Sequence, residues 1–99
     1  MTRTIEDLNL WAEGTHNWIT RNEEAGLKEI DGRTSGGARI AIAYRVNVMK
    51  RNMNQDQGFI LGLEWMGAFG WDELNPIWDR ITEHYENAIA KLEEAVNAK

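Results

Sequence analysis

The clearest pattern of apolar and polar positions lies in the last third of the chain, from Trp71 onward. At about 100° per residue, its large apolar side chains fall on one face and its carboxylates and amides on the other. The apolar face holds Leu74, Ile77, Trp78, Ile81, Tyr85, Ala88, Ile89, Leu92 and Val96. The pattern predicts a long amphipathic helix, capped by Asp72 or Asn75, with Pro76 in its first turn.

The opening segment has a similar stripe and predicts a first helix. Its cap is Thr4, and Gly26 is expected to end it. The stripe consists of Ile5, Leu8, Trp11, Ala12, Thr15, Trp18 and Ile19.

The central pattern is different, because apolar residues alternate with small or polar ones from residue 40 to 48 and again from 59 to 65. A period of two favours strands, and residues 27–31 could form a third. We therefore predict an α+β fold: an N-terminal helix, a three-stranded antiparallel meander and a long C-terminal amphipathic helix, with loops at 32–37 and 52–57. The alternative is an all-α four-helix domain, because Ile42, Val46, Met49 and Met53 also fit helical spacing.

Composition limits the class of protein. A length of 99 residues with 42% hydrophobic residues suits one compact domain covering residues 1–99. The absence of cysteine excludes disulfides, thiol nucleophiles and cysteine-bound zinc. No stretch has the length or apolar character of a signal peptide or a membrane span, so we expect a cytoplasmic protein with no membrane partner.

The sequence shows no catalytic set, and we expect neither enzymatic activity nor a bound metal or cofactor. The two histidines, His16 and His84, lie at the margins of the helical stripes. Glu13 and His16 form only one of the two Glu-x-x-His pairs that a di-iron site needs. Ser35 lies in a glycine-rich run that lacks the lysine of a phosphate-binding loop.

Charge divides the chain, whose net charge is −5, into acidic ends and a basic middle. The basic residues of segment 33–54 are candidate contacts to nucleic acid or to a partner: Arg33, Arg39, Arg45, Lys50 and Arg51. The polar face of the last helix forms a candidate partner-binding acidic face: Asp79, Glu83, Glu86, Glu93 and Glu94.

Aromatic residues add to the binding hypothesis, because five tryptophans are many for this length and tryptophan is enriched at interface hot spots. Trp65 and Trp71, beside the glycine-punctuated run 67–70, are the candidates to lie outside the core and bind a partner.

In size, acidic charge, lack of cysteine and lack of a catalytic set, the whole chain resembles small phage-encoded inhibitors of the anti-CRISPR type. The resemblance implies a protein-binding inhibitor that occupies a bacterial nucleic-acid-handling, CRISPR-Cas-like complex and blocks its access to nucleic acid. The expected partner is thus a protein, with basic nucleic-acid-binding surfaces, and the inhibitor itself is a monomer or weak dimer. The alternative is a small nucleic-acid-binding protein that uses segment 33–54.

Overall fold

The computed structural model describes residues 4–99, which form three α-helices. They are α1 (Ile5–Ile30), α2 (Ser35–Trp65) and α3 (Trp71–Asn97). Residues 4–99 contain no strand, so the predicted α+β fold with a three-stranded meander is wrong. The alternative all-α class is right, although the described chain forms three helices and not four.

The error at residues 40–48 came from exposed apolar side chains that imitate strand alternation. The buried positions in this part of α2 are Ala38, Ile42, Val46 and Met49, spaced at the four-four-three interval of a helix. Ile40 and Tyr44 completed the period-two pattern, but each is 75% exposed. Alternation predicts a strand only when its apolar members share a buried face.

The other two predicted strands are also helical. In the run 59–65, the buried residues Ile60 and Leu63 are three apart, whereas Leu61 and Trp65 are exposed. The segment 27–31 contains the last turn of α1, and the predicted loop 52–57 lies inside α2. No proline interrupts α2, since the single proline of the chain is Pro76, and a continuous 31-residue helix results.

Two threonines begin the first two helices. Thr4 caps α1 as predicted: its hydroxyl accepts from the Asp7 N–H at 3.2 Å, and its own N–H donates to the Asp7 carboxylate at 3.1 Å. Thr34 caps α2 and accepts from the Gly37 N–H at 3.1 Å. Gly32, with φ 74°, makes the turn between the helices, so the connection is 31–34 and not the expected 32–37.

The last helix is confirmed, but its start differs in detail. Gly70 occupies the cap position in place of Asp72 or Asn75, and its N–H donates to the Glu73 carboxylate at 3.3 Å. Pro76 lies in the second turn and not the first, where its missing N–H leaves the Asp72 carbonyl without an i+4 donor.

Gly26 does not end α1; it lies about one turn before the end of the helix and permits close packing there. A Cβ placed on Gly26 would lie 2.6 Å from Leu92 Cδ2 on α3 and 2.9 Å from Arg45 Cδ on α2. Only a residue without a side chain fits between the three helices here.

The helices form an elongated bundle whose Cα atoms extend 50 × 19 × 18 Å. Short connections, 31–34 and 66–70, make consecutive helices antiparallel. The start of α1, the end of α2 and the start of α3 therefore meet at one end, where Leu8, Leu63 and Phe69 line one small cavity. One apolar core joins all three helices. Within residues 4–99, no helix is both long and apolar enough to cross a membrane.

Candidate functional site: an acidic half that exposes tryptophan

Antiparallel packing collects one sign of charge at one end of the bundle. We call the part formed by residues 4–20 and 52–79 the acidic half, because these segments contain no lysine or arginine. Its carboxylate residues are Glu6, Asp7, Glu13, Asp56, Glu64, Asp72, Glu73 and Asp79. The surface of this half is mainly negative, with Arg80 of α3 at its border, and a negative surface attracts cationic partners and repels nucleic acid.

The five basic candidates, which we call the basic centre, lie in the other half of the bundle, where carboxylates of α1 and α3 lie beside three of them. Arg45 forms an interhelical ion pair with Glu29 and donates to the Asn22 side-chain oxygen at 2.7 Å, so it holds α2 against α1. Arg39 and Lys50 share a surface groove of about 350 Å³ with residues of α3 that include a carboxylate, Glu93. The basic centre is therefore partly neutralised.

The remaining basic candidates, Arg33 and Arg51, are exposed at or near the ends of this segment. Tyr44 is the exposed aromatic ring of the segment. The structure thus leaves four of the five basic candidates at the surface and ties the fifth, Arg45, to helix packing.

The predicted acidic face follows one side of α3, and all five of its residues are exposed: Asp79, Glu83, Glu86, Glu93 and Glu94. They extend over roughly 22 Å at 1.5 Å per residue. The ion pairs among residues 4–99 are Arg45 with Glu29 and Lys91 with Glu23, so no carboxylate of this face is paired. The two ends of the acidic face differ in their surroundings. Asp79 belongs to the acidic half of the bundle, whereas Glu93 lines the groove that contains Arg39 and Lys50.

The two predicted contact tryptophans lie at the end of the acidic half. Trp65, the last residue of α2, is 91% exposed, and Trp71, the first residue of α3, is 37% exposed. The Trp71 ring packs edge-on against Trp78, with ring centroids 5.9 Å apart, whereas Trp65 projects from the bundle.

Two further exposed apolar residues at this end escaped the sequence analysis. Leu61 lies one helical turn before Trp65, and Met66 follows it. The strand prediction hid Leu61, because it placed this residue on the same face as the buried Leu63. We call Leu61, Trp65, Met66 and Trp71 the tryptophan patch.

Carboxylates flank the tryptophan patch. Glu64 precedes Trp65, and Asp72 and Glu73 follow Trp71; all three are exposed. An apolar centre with a polar rim is the usual composition of a protein-binding surface.

The two histidines, expected at separate margins, form a pair between α1 and α3. The Nδ1 atoms of His16 and His84 are 2.7 Å apart, and the rings stack with centroids 5.0 Å apart. The Thr20 hydroxyl lies 3.4 Å from His84 Nε2. Burial, then the positive charges of His84 and Arg80, lower the pKa of His16. The hydrogen bond needs one Nδ1 with a proton and one without, so full protonation of both rings breaks it.

The histidine pair has few additional ligands nearby. Glu13 and His16 line a groove of about 280 Å³ together with the cationic Arg80. Among residues 4–99, no group of three or more His, Cys, Asp or Glu residues is arranged to hold a metal ion.

The chain matches no protein-family model, and neither the curated proteins nor the solved structures give a significant match to it.

Proposed function

We propose that this protein is a non-enzymatic binding module that docks its acidic half, centred on the tryptophan patch, onto a positively charged surface of a protein partner. One observation carries the proposal. Trp65 is 91% exposed within a half of the molecule whose described segments contain carboxylates and no lysine or arginine.

Both parts of this surface favour association with a protein. An indole left in water gives large apolar area to an interface at a small cost in side-chain entropy, and tryptophan is enriched among hot spots. Unpaired carboxylates on rigid helices steer the approach of a basic surface and select against partners of the wrong sign.

Positively charged protein surfaces commonly bind the phosphate backbone of nucleic acids. Carboxylates displayed along a helix can oppose the same lysines and arginines, so the bound module excludes nucleic acid. We therefore propose an inhibitor that acts by occupancy of a bacterial nucleic-acid-handling complex. A CRISPR-Cas-like complex is the prediction that follows from the resemblance in size, charge and composition.

The charge distribution also ranks the residues of the acidic face. Asp79 and Glu83 are nearest to the tryptophan patch along α3, whereas Glu93 lies beside Arg39 and Lys50. We therefore expect charge reversal at Asp79 or Glu83 to weaken partner binding more than charge reversal at Glu93.

Displacement of nucleic acid tests the proposal directly. Proteins of a bacterial lysate that heparin retains are loaded with a fluorescent single-stranded DNA, and release of the DNA is followed as the purified protein is added. We expect release to require about tenfold more of the Trp65→Ala variant than of the unaltered protein. Tyr44→Ala is the matched control, because Tyr44 is also exposed but lies in the other half.

Two results would contradict the proposal. One is a failure to release DNA at any concentration, and the other is equal potency of the Trp65→Ala and unaltered proteins. Binding of the DNA by the protein itself, with affinity that falls steeply in salt and on Lys50→Ala substitution, would establish the nucleic-acid-binding alternative instead.

A further inference from the structure

A cleft between α1 and α2 is lined mainly by residues of the acidic half and shares no lining residue with the tryptophan patch. Its volume is about 400 Å³, and α3 closes its floor. Three elements contribute to it, with Trp11, Gly14 and Trp18 among the residues from α1, Asn52 and Asp56 from α2, and Tyr85 from α3.

The walls of the cleft are indole rings held in place by other aromatic rings. Trp11 and Trp18 are seven residues apart on one stripe of α1, a separation of roughly 10 Å along the axis. The Trp11 ring packs on Phe59 with centroids 4.6 Å apart, and the Trp18 ring packs on Tyr85 with centroids 6.2 Å apart. Both rings are therefore oriented before anything binds.

Gly14 keeps the space between the two indoles open. A Cβ placed on Gly14 would meet no atom within 4 Å, in contrast to Gly26 on the same helix. A larger side chain at position 14 could extend into the cleft without displacing the bundle.

A carboxylate lies in this cleft without a cationic partner. Asp56 Oδ2 accepts a hydrogen bond from the Tyr85 hydroxyl at 2.5 Å, and neither ion pair among the described residues includes Asp56. Burial raises the pKa of Asp56, although the hydrogen bond from Tyr85 opposes the shift. Burial and the neighbouring carboxylate raise the pKa of Tyr85, which stays protonated and donates. A bound cation would relieve the cost of holding this charge partly out of water.

We propose that this cleft binds an organic ammonium group, with the Asp56 carboxylate as counter-ion and the faces of Trp11 and Trp18 as cation–π partners. Tryptophan is the strongest cation–π acceptor among the side chains, and aromatic rings recognise ammonium ligands. A charge held partly out of water is stabilised by a partner of opposite sign. The group belongs to a free amine or to a lysine side chain of a bound protein.

Titration with n-butylammonium, followed by the indole N–H signals in two-dimensional NMR, tests this site. We expect saturable shifts of the Trp11 and Trp18 signals at about millimolar concentration, while the Trp65 signal stays unmoved. The neutral analogue n-butanol should bind at least about tenfold more weakly, because it lacks the charge that Asp56 recognises.

Three variants test whether binding depends on this cleft and not on the overall negative charge of the acidic half. Asp56→Asn keeps an oxygen for the Tyr85 hydroxyl but removes the charge, and should weaken n-butylammonium binding about tenfold or more. Glu13→Gln is the matched control, because it removes one charge from the same half on the groove beside His16 and should leave binding within about twofold. Gly14→Leu should block the cleft while the protein remains folded.

A second titration, with a lysine-containing peptide, identifies the source of the ammonium group. Acetyl-Gly-Lys-Gly-amide that binds more tightly than n-butylammonium indicates a lysine side chain, and weaker binding of the peptide indicates a free amine. The proposal is overturned if n-butanol binds as well as n-butylammonium, if Asp56→Asn leaves the affinity unchanged, or if no saturable shift occurs at Trp11 and Trp18. None of these outcomes bears on DNA displacement by the tryptophan patch.

Discussion

Replacement of Gly26 by alanine should destabilise the protein, whereas the same replacement at Gly14 should stabilise it. Both residues lie inside α1, and alanine in place of glycine favours a helix by about 0.5–1 kcal/mol at either position. The two sites differ in space: the new methyl group would lie 2.6 Å from Leu92 Cδ2 at position 26 and would meet nothing within 4 Å at position 14.

The magnitude follows from that difference. Leu92 is fully buried, so it cannot turn away without disturbing the core, and the Cδ atom of Arg45 at 2.9 Å is part of a side chain held by Glu29. Overpacking of this kind costs about 1–3 kcal/mol. Because the helix-propensity gain is common to both variants, their free energies of unfolding should differ by about 1–3 kcal/mol, with Gly26→Ala the less stable.

Urea unfolding followed by circular dichroism at 222 nm measures the difference, and thermal unfolding gives a second estimate. For a domain of this size, 1 kcal/mol corresponds to about 4–8 °C in Tm, so the two variants should melt at least about 4 °C apart. The packing of α1 against Leu92 and Arg45 would be refuted if Gly26→Ala proved as stable as Gly14→Ala.

Three further predictions concern charge and exposure. Because the pKa of Asp56 is raised, its ionised form costs stability at neutral pH, so Asp56→Asn should increase the free energy of unfolding in urea at pH 7; a decrease would contradict the assigned environment. Because the pKa of His16 is lowered in the folded protein, the unfolded chain binds a proton at His16 more tightly. The contribution of His16 to the free energy of unfolding should therefore be complete above pH 6.5 and fall as the pH drops below it. Melting at pH 7.5 and 5.5 should show this loss, and a His16→Gln variant that kept the same pH dependence would argue against it. Trp65→Ala should change stability by less than about 0.5 kcal/mol, whereas Leu63→Ala, two residues away and 1% exposed, should cost about 2–5 kcal/mol by chemical denaturation. A large loss of stability in Trp65→Ala would mean that this ring is part of the core.

The candidate surface was partly visible in the sequence. The glycine-punctuated run 67–70 pointed to Trp65 and Trp71 as residues outside the core, and the polar face of the last helix identified its exposed carboxylates. Leu61 and Met66 were missed, and for Leu61 the reason is that a strand places it on the same side as Leu63 whereas a helix does not.

The cleft and the histidine pair carried no sequence signal. Asp56 and Tyr85 are 29 positions apart, and His16 and His84 are 68 apart. Each pair forms only because different helices place its members side by side, and neither has a spacing that a local pattern could reveal.

The sequence by itself determined the two outer helices, because their apolar stripes recur at helical spacing and because Thr4 caps the first of them. It left the central segment ambiguous, since Ile40 and Tyr44 are apolar side chains that the fold leaves in water. The tertiary structure decided this case through burial: Ile42, Val46 and Met49, at helical spacing, face the core, whereas Ile40 and Tyr44 do not. It also decided the charge pattern. The sequence has acidic ends and a basic middle, but antiparallel packing places carboxylates beside the basic segment. It also brings together segments 4–20 and 52–79, which contain carboxylates and no lysine or arginine, because helix direction sets which distant charges become neighbours.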